Sequence, residues 1–197
     1  MIKELKHPFI YRCIDLPGLL EECKLFNTFI GRLERQAETH AQGDEDIKNK
    51  YKGDGLELFA EFLCKSRPYD TICDYEIVGE DDDTGVDGVG IGVDCKPATV
   101  QVKFRQADYK LTTNADHLGN FKAASLSDKY KVDRTPNERT GKCNMLIITS
   151  GENLHWHTEK NMLSDVRILN RIKLRKLVDN KIKWWMDFLD ACNESLK

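Results

Sequence analysis

Between residues 14 and 40 the apolar positions Leu19, Leu20, Cys23, Phe26, Ile30 and Leu33 recur at the spacing of one helix face. They predict an amphipathic helix, with Pro17 tolerated in its first turn. The polar, glycine-punctuated run AQGDEDIKNKYKGDG that follows reads as a linker or loop. A second helix is predicted to begin at an Asp54 N-cap and to run through GLELFAEFLCKS to about Lys65. Arg67-Pro68 ends it, because a residue before proline is pushed out of the α region.

The pattern then changes period. Ile72, Tyr75, Ile77 and Val78 mark a strand in DTICDYEIVGE, and the acidic run Asp81-Asp82-Asp83 opens a turn. VDGVGIGV predicts a second strand, DCKPA a tight connection and TVQVKFR a third strand. Residues 110–130 read as mainly helical, and Cys143 to Ser150 form the continuous apolar run of a buried central strand. A helix near HTEKNMLSD, a short strand at VRILN and a helical tail broken around Asn180 complete the chain. This order predicts an α/β sandwich with a mixed sheet, because hairpin-joined strands meet later ones through helical crossovers. One domain is expected over residues 44–197, with an N-terminal helical extension over 1–43.

Composition narrows the class without naming it. Hydrophobic residues make up 40% of 197 and charged ones 32%, which excludes a disordered chain. No apolar run approaches the roughly 20 residues of a membrane helix, and MIKELKHPFI lacks a signal-peptide core. An intracellular protein with no membrane partner is expected, in the cytoplasm of a microbe or of a virus-infected cell. Seven scattered cysteines without a C-x-x-C pair argue against a zinc ribbon or a disulfide framework. Charge is uneven: residues 101–197 hold 18 Lys and Arg against 12 Asp and Glu, while the first hundred hold 12 against 21. A basic half suits a polyanionic partner, and gathered acids suit a metal site or plain solubility.

Gln101 and Lys103 sit two apart on the third predicted strand and so share a face, about 6.6 Å apart along it. Val100, Val102 and Phe104 are then expected to face the core. Taken alone, the Gln-x-Lys pair is the wet side of an amphipathic strand. Three features favour convergence on one centre instead. Asp87 lies on the preceding strand, where a short hairpin returns it towards Gln101. Glu57 and Glu61 stand at i and i+4 on the helix before both strands. Glycines at 85, 88, 90 and 92 thin the side chains around Asp87.

Such a set suits Mg²⁺, which takes one or two carboxylates, hard neutral oxygens, waters and a substrate phosphate. Asp87 would be the principal ligand, Glu57 the second charge, Gln101 an amide oxygen and Val102 a backbone carbonyl. Lys103 would offset charge building on the phosphate in the transition state.

KGDGLELF, GVDGVGI, VQVKF and NMLIITSG together resemble the PD-(D/E)xK nuclease superfamily in its Q-x-K variant, and in particular Mrr-like restriction endonuclease domains. The likeness covers residues 50–155 well, the tail loosely and the first 45 residues hardly at all. It implies a restriction-endonuclease-like mixed β-sheet flanked by helices, with Glu57, Asp87, Gln101 and Lys103 as the catalytic set. It also implies Mg²⁺ as cofactor, Mn²⁺ as its substitute, and DNA as substrate. A helicase or methyltransferase, fused or associated, is the implied protein partner, and cutting both strands with one site per chain favours a homodimer. Two departures stand out: no Pro precedes Asp87, and Gln101 replaces an acid. Both occur in Mrr-like members.

Other residues are weaker candidates. Glu61 is a rival for Glu57, but its neighbour's place in KGDGLE favours Glu57. Asp94 sits in a turn where Asp commonly bonds its own backbone. His155, His157 and Glu159 have metal-ligand spacing on a strand, yet with no matching second pair a surface role is the better reading. His117 reads as a helix-surface histidine. Arg105 and the basic run Arg167, Arg171, Lys173, Arg175 and Lys176 are candidate DNA contacts or simply a solvated face. The alternatives to an active endonuclease of restriction type are a homing endonuclease, a junction resolvase, or a nucleic-acid-binding domain that has lost cleavage.

Overall fold

The computed structural model describes residues 4–79, 85–155, 157, 158, 160 and 163–197. The chain divides into two compact units, Met1–Phe62 with Arg171–Lys197, and Leu63–Asn170.

The first unit is helical. It contains α1 (Phe9–Arg12), α2 (Leu16–Leu20), α3 (Phe26–Ala41) and most of α4 (Glu45–Ser66), followed after the second unit by α6 (Arg171–Val178) and α7 (Ile182–Ser195). The amphipathic stretch expected over 14–40 is two helices, because Glu22 takes a left-handed φ of 52° and turns the chain between them. Both halves still bury the predicted stripe, Leu19 and Leu20 in α2 and Phe26, Ile30 and Leu33 in α3.

The expected linker is also corrected. Helix α4 begins at Glu45, nine residues before the predicted Asp54 cap. Asp44 is the cap, its Oδ1 accepting from the N–H groups of Asp46 and Ile47 at 2.9 and 3.1 Å. Gly53 and Gly55, which suggested a loop, lie inside the helix. A Cβ at Gly55 would stand 2.4 Å from Leu33 Cδ1, so this glycine lets α3 and α4 approach closely. Phe26, Phe29, Phe59, Phe62, Trp185 and Phe188 fill the interior of this unit, with Phe62 stacked on Phe188 at 4.5 Å between ring centroids. Asn180, with φ 59°, breaks α6 from α7 where a break was expected.

The second unit is a mixed α/β layer. Its five-stranded sheet has the order β1-β2-β3-β5-β7. β1 (Cys73–Ile77), β2 (Gly88–Ile91) and β3 (Pro97–Lys103) form an antiparallel meander. β5 (Met145–Thr149) and β7 (Arg167–Leu169) run parallel to β3. A two-stranded parallel sheet pairs β4 (Lys110–Leu111) with β6 (Asn153–Leu154), and α5 (Leu118–Ser125) follows β4. The mixed sheet agrees with the sequence reading, and every residue of β5 is buried as its unbroken apolar run required. Of the predicted helix near HTEKNMLSD, residues 159, 161 and 162 lie outside the described residues, as does the acidic run 81–83.

One expectation about β3 fails. Val100 and Val102 are buried as predicted, but Gln101 on the opposite face is buried too, at 0% exposure. That face carries Thr99, whose Oγ1 donates to Ser125 of α5 at 2.8 Å. It continues across the parallel register through Met145 and Ile147, which join Phe121 of α5 in the core. β3 therefore has no wet side along its centre. Its ends reach the surface, Pro97 exposed at one and Lys103 half-exposed at the other.

The contrast between the two glycines of α4 is measurable. Gly53→Ala, with nothing within 4 Å of the added Cβ, should raise unfolding free energy by up to about 1 kcal/mol. Gly55→Ala should instead lower it by about 1 kcal/mol, overpacking against Leu33 exceeding the propensity gain, as read from denaturant midpoints.

Candidate active site

Asp87 stands just ahead of β2, where the ladder with β3 becomes irregular. Gly88 is the register partner of Val100, yet the Asp87 N–H also reaches the Val100 carbonyl at 2.9 Å. Two residues thus oppose one, the count of a β-bulge, a device that re-aims a side chain. The Asp87 carboxylate is re-aimed onto β3 itself: its Oδ2 accepts the Val102 N–H at 2.6 Å. That N–H belongs to the peptide joining Gln101 to Val102, so the carboxylate is fastened to the Gln-x-Lys segment. A residue's N–H and C=O point to the same side of its strand. The Val102 carbonyl therefore shares the Asp87 side, while the Lys103 carbonyl turns to β5 and accepts from Ser150 N–H at 3.3 Å and Thr149 Oγ1 at 2.9 Å.

Gln101 is the anomaly. Both of its amide atoms are buried and neither has a hydrogen-bond partner among the described residues. Burying an amide without a partner costs roughly 1–3 kcal/mol, and such a group calls for a functional or ligand explanation. Gly85, at a left-handed φ of 72°, approaches it so closely that a Cβ there would stand 3.1 Å from Gln101 Nε2. The other glycines of this stretch serve packing, not the site: a Cβ at Gly88 would meet the Tyr75 ring at 2.3 Å, and one at Gly90 the Cys73 carbonyl at 2.5 Å.

The acids of α4 belong to the first unit and differ in their surroundings. Glu61 is fully buried and accepts the backbone N–H groups of Lys6 and His7 at 2.8 and 3.0 Å. Glu57 is about one-third exposed and its Oε2 meets His7 Nε2 at 3.0 Å. Asp54, expected as a cap, lies mid-helix and pairs with Arg12 at 3.1 Å and Lys50 at 3.7 Å. Burial pushes its carboxyl above the usual range, with Arg12 and Lys50 opposing the rise. His7 is absent from the sequence reading. No local signal could have revealed it, because its partner lies fifty residues on.

The basic candidates separate by environment. Arg105 donates from Nε to the buried Asp116 at 2.6 Å and lies over the Tyr109 ring. Arg167 donates to the backbone carbonyls of Asp70 and Thr71, and burial lowers its pKa. Arg171 bonds Asn27 at 2.9 Å and Arg175 bonds Asp179 at 3.2 Å. Lys173 and Lys176 are exposed on α6. His155 and His157 stack at 5.7 Å between centroids, and Glu159 lies outside the described residues. His117 is exposed ahead of α5, and Asp94 accepts from Lys96 N–H at 3.3 Å within its turn.

Among the described residues no group of three His, Cys, Asp or Glu side chains could hold a metal ion. A Mg²⁺ site needs no such cage when waters and phosphate complete it. Asp87, Val102 and Gln101 carry a carboxylate, a carbonyl and an amide oxygen, the donor types such a site uses. No protein-family model matches the chain, and no curated protein matches it. Among the described residues no helix is long and apolar enough to cross a membrane.

Gln101→Met, close in shape and free of the unpaired amide, should be neutral or raise unfolding free energy by about 1 kcal/mol in a denaturant titration. A clear loss of stability would mean that the amide is satisfied in the folded protein.

Proposed function

We propose that this chain is a metal-dependent phosphodiesterase. The particular reading is a Mg²⁺-dependent DNA endonuclease of restriction-endonuclease-like fold. The observation that carries it is the Asp87 carboxylate fastened to the Val102 N–H beside a buried Gln101 amide that has no partner. A strand kept purely for packing would place an apolar residue at 101, since the amide there costs stability. The mixed sheet, with its antiparallel meander and parallel β5, supports the same reading.

In this reading Asp87, the Val102 carbonyl and the Gln101 amide oxygen, all in the second unit, would hold Mg²⁺. The ion supplies positive charge against a substrate phosphate and makes water more acidic. Asp87 is oriented in advance, because one of its oxygens is held by β3. Lys103 lies at the half-exposed end of the same strand, where its ammonium offsets the charge of the crowded phosphate. Water adds to phosphorus as the bond to the 3′ oxygen breaks. The products are a 5′-phosphate and a 3′-hydroxyl that has gained a proton.

Lys173 and Lys176, exposed on α6, are the stronger phosphate-contact candidates. Arg105 and Arg167 are committed to Asp116 and to backbone carbonyls within the second unit.

Nicking of supercoiled plasmid tests the reading. Wild type should nick with Mg²⁺ and not with EDTA. Asp87→Ala should abolish nicking, and Lys103→Ala should slow it by about 10²-fold or more. Equal, negligible nicking by all three proteins on varied DNAs would remove the catalytic claim. In a separate measurement, Lys176→Ala should weaken DNA binding on every sequence and reduce the salt slope by about 1. Arg167→Ala should act mainly on stability, losing about 1–3 kcal/mol through the carbonyls it leaves unpaired.

A further inference from the structure

β3 ends at Lys103, and the chain leaves the sheet through residues 104–106, which belong to no helix or strand. Strand ends and the loops after them are ordinarily the loosest parts of a fold. This one is pinned by buried side chains. The Lys103 carbonyl accepts from Thr149 Oγ1 at 2.9 Å and from Ser150 N–H at 3.3 Å. Ser150 Oγ then takes both backbone groups of Arg105, accepting its N–H and donating to its carbonyl, each at 2.7 Å. Gly151 N–H donates to Thr149 Oγ1 at 3.2 Å, so that hydroxyl is itself oriented. Thr149 and Ser150 are both 0% exposed.

The Arg105 side chain adds an anchor of its own. Nε donates to Asp116 Oδ1 at 2.6 Å, and Nη1 donates to the Phe104 carbonyl at 2.7 Å. Asp116 is buried, and its Oδ2 accepts from Thr112 N–H at 2.7 Å and from the Tyr109 hydroxyl at 3.3 Å. Bonds to an ionised group of this kind are the stronger ones. From the β2 side, Asp87 holds the Val102 N–H at 2.6 Å. Residues 102–105 are thus fixed from both flanks although a strand ends among them, and every group involved lies in the second unit.

We propose that Thr149 and Ser150, at the end of β5, are positioning residues for Lys103. They fix the backbone from which the Lys103 ammonium is presented to a phosphate. This rests on the role given to Lys103 under the proposed function. Both hydroxyls are buried and act only through the backbone of Lys103 and Arg105. Displacing a catalytic group by about 1 Å costs roughly 10²-fold in rate, so a backbone anchor at this point bears directly on turnover.

Thr149→Val keeps the shape of the side chain and removes its donor, whereas Thr149→Ser keeps the donor. In single-turnover plasmid nicking with Mg²⁺, Thr149→Val and Ser150→Ala should each slow the reaction by about 10–100-fold. Their DNA affinity, measured without metal, should stay within about twofold of wild type. Thr149→Ser should recover most of the rate. In a Lys103→Ala background, Thr149→Val should slow nicking by less than about twofold more, because the group it positions is gone. Thermal unfolding of each variant separates loss of fold from loss of position. A wild-type rate in folded Thr149→Val and Ser150→Ala, with Lys103→Ala slow, would overturn this inference and leave the proposed function standing. A full effect of Thr149→Val in the Lys103→Ala background would overturn it too. Should Lys103→Ala itself nick as fast as wild type, or wild type not nick at all, the proposed role of Lys103 fails first and this inference with it.

Discussion

A strand covered on both faces has no wet side to which a polar residue can turn. β3 is such a strand along its centre, with Val100 buried on one face and Thr99 and Gln101 buried on the other. Thr99 meets this constraint by bonding Ser125 of α5. Gln101 does not meet it among the described residues, and the cost of its amide must be balanced by packing elsewhere in the unit. The edge of the same strand is handled differently. Where β2 falls out of step, the Asp87 side chain takes over as acceptor for the Val102 N–H. The ladder defect and the placement of the carboxylate are therefore one event.

The helical unit shows the same economy with charge. Glu57 and Glu61 are a turn apart on α4, yet one is about one-third exposed and the other is sealed. What separates them is the N-terminal segment. Its backbone satisfies Glu61 twice, and only its imidazole reaches Glu57. A buried carboxylate with two amide donors is tolerable, whereas one without them would be expelled or protonated. The close packing beneath depends on Gly55, which brings Leu33 against the backbone of α4.

Much of the sheet was legible from period alone. The unbroken run Met145 to Thr149 identified a strand buried on both faces, and the meander followed from turn residues between short apolar segments. The helical unit was less legible. AQGDEDIKNKYKGDG looked like a linker because its glycines and charges are loop residues by composition. In the fold, Asp44 caps the helix and Gly55 serves close contact. In the stretch before it, a continuous apolar stripe concealed the turn at Glu22, whose backbone conformation leaves no mark on hydrophobic spacing.

For the candidate site, the sequence by itself determined which groups were chemically suitable: Asp87, a Gln-x-Lys pair and an acid one helix earlier, all readable from residue type and strand alternation. It could not say whether the polar face of β3 was wet, because alternation between apolar and polar residues looks the same whether the polar side meets water or a covering helix. Nor could it tell Glu57 from Glu61 by environment, or find His7. Those distinctions arise from contacts between residues far apart in the chain. Tertiary structure alone decided that Gln101 is buried without a partner, that Asp87 is held against β3, and that His7 holds one oxygen of Glu57.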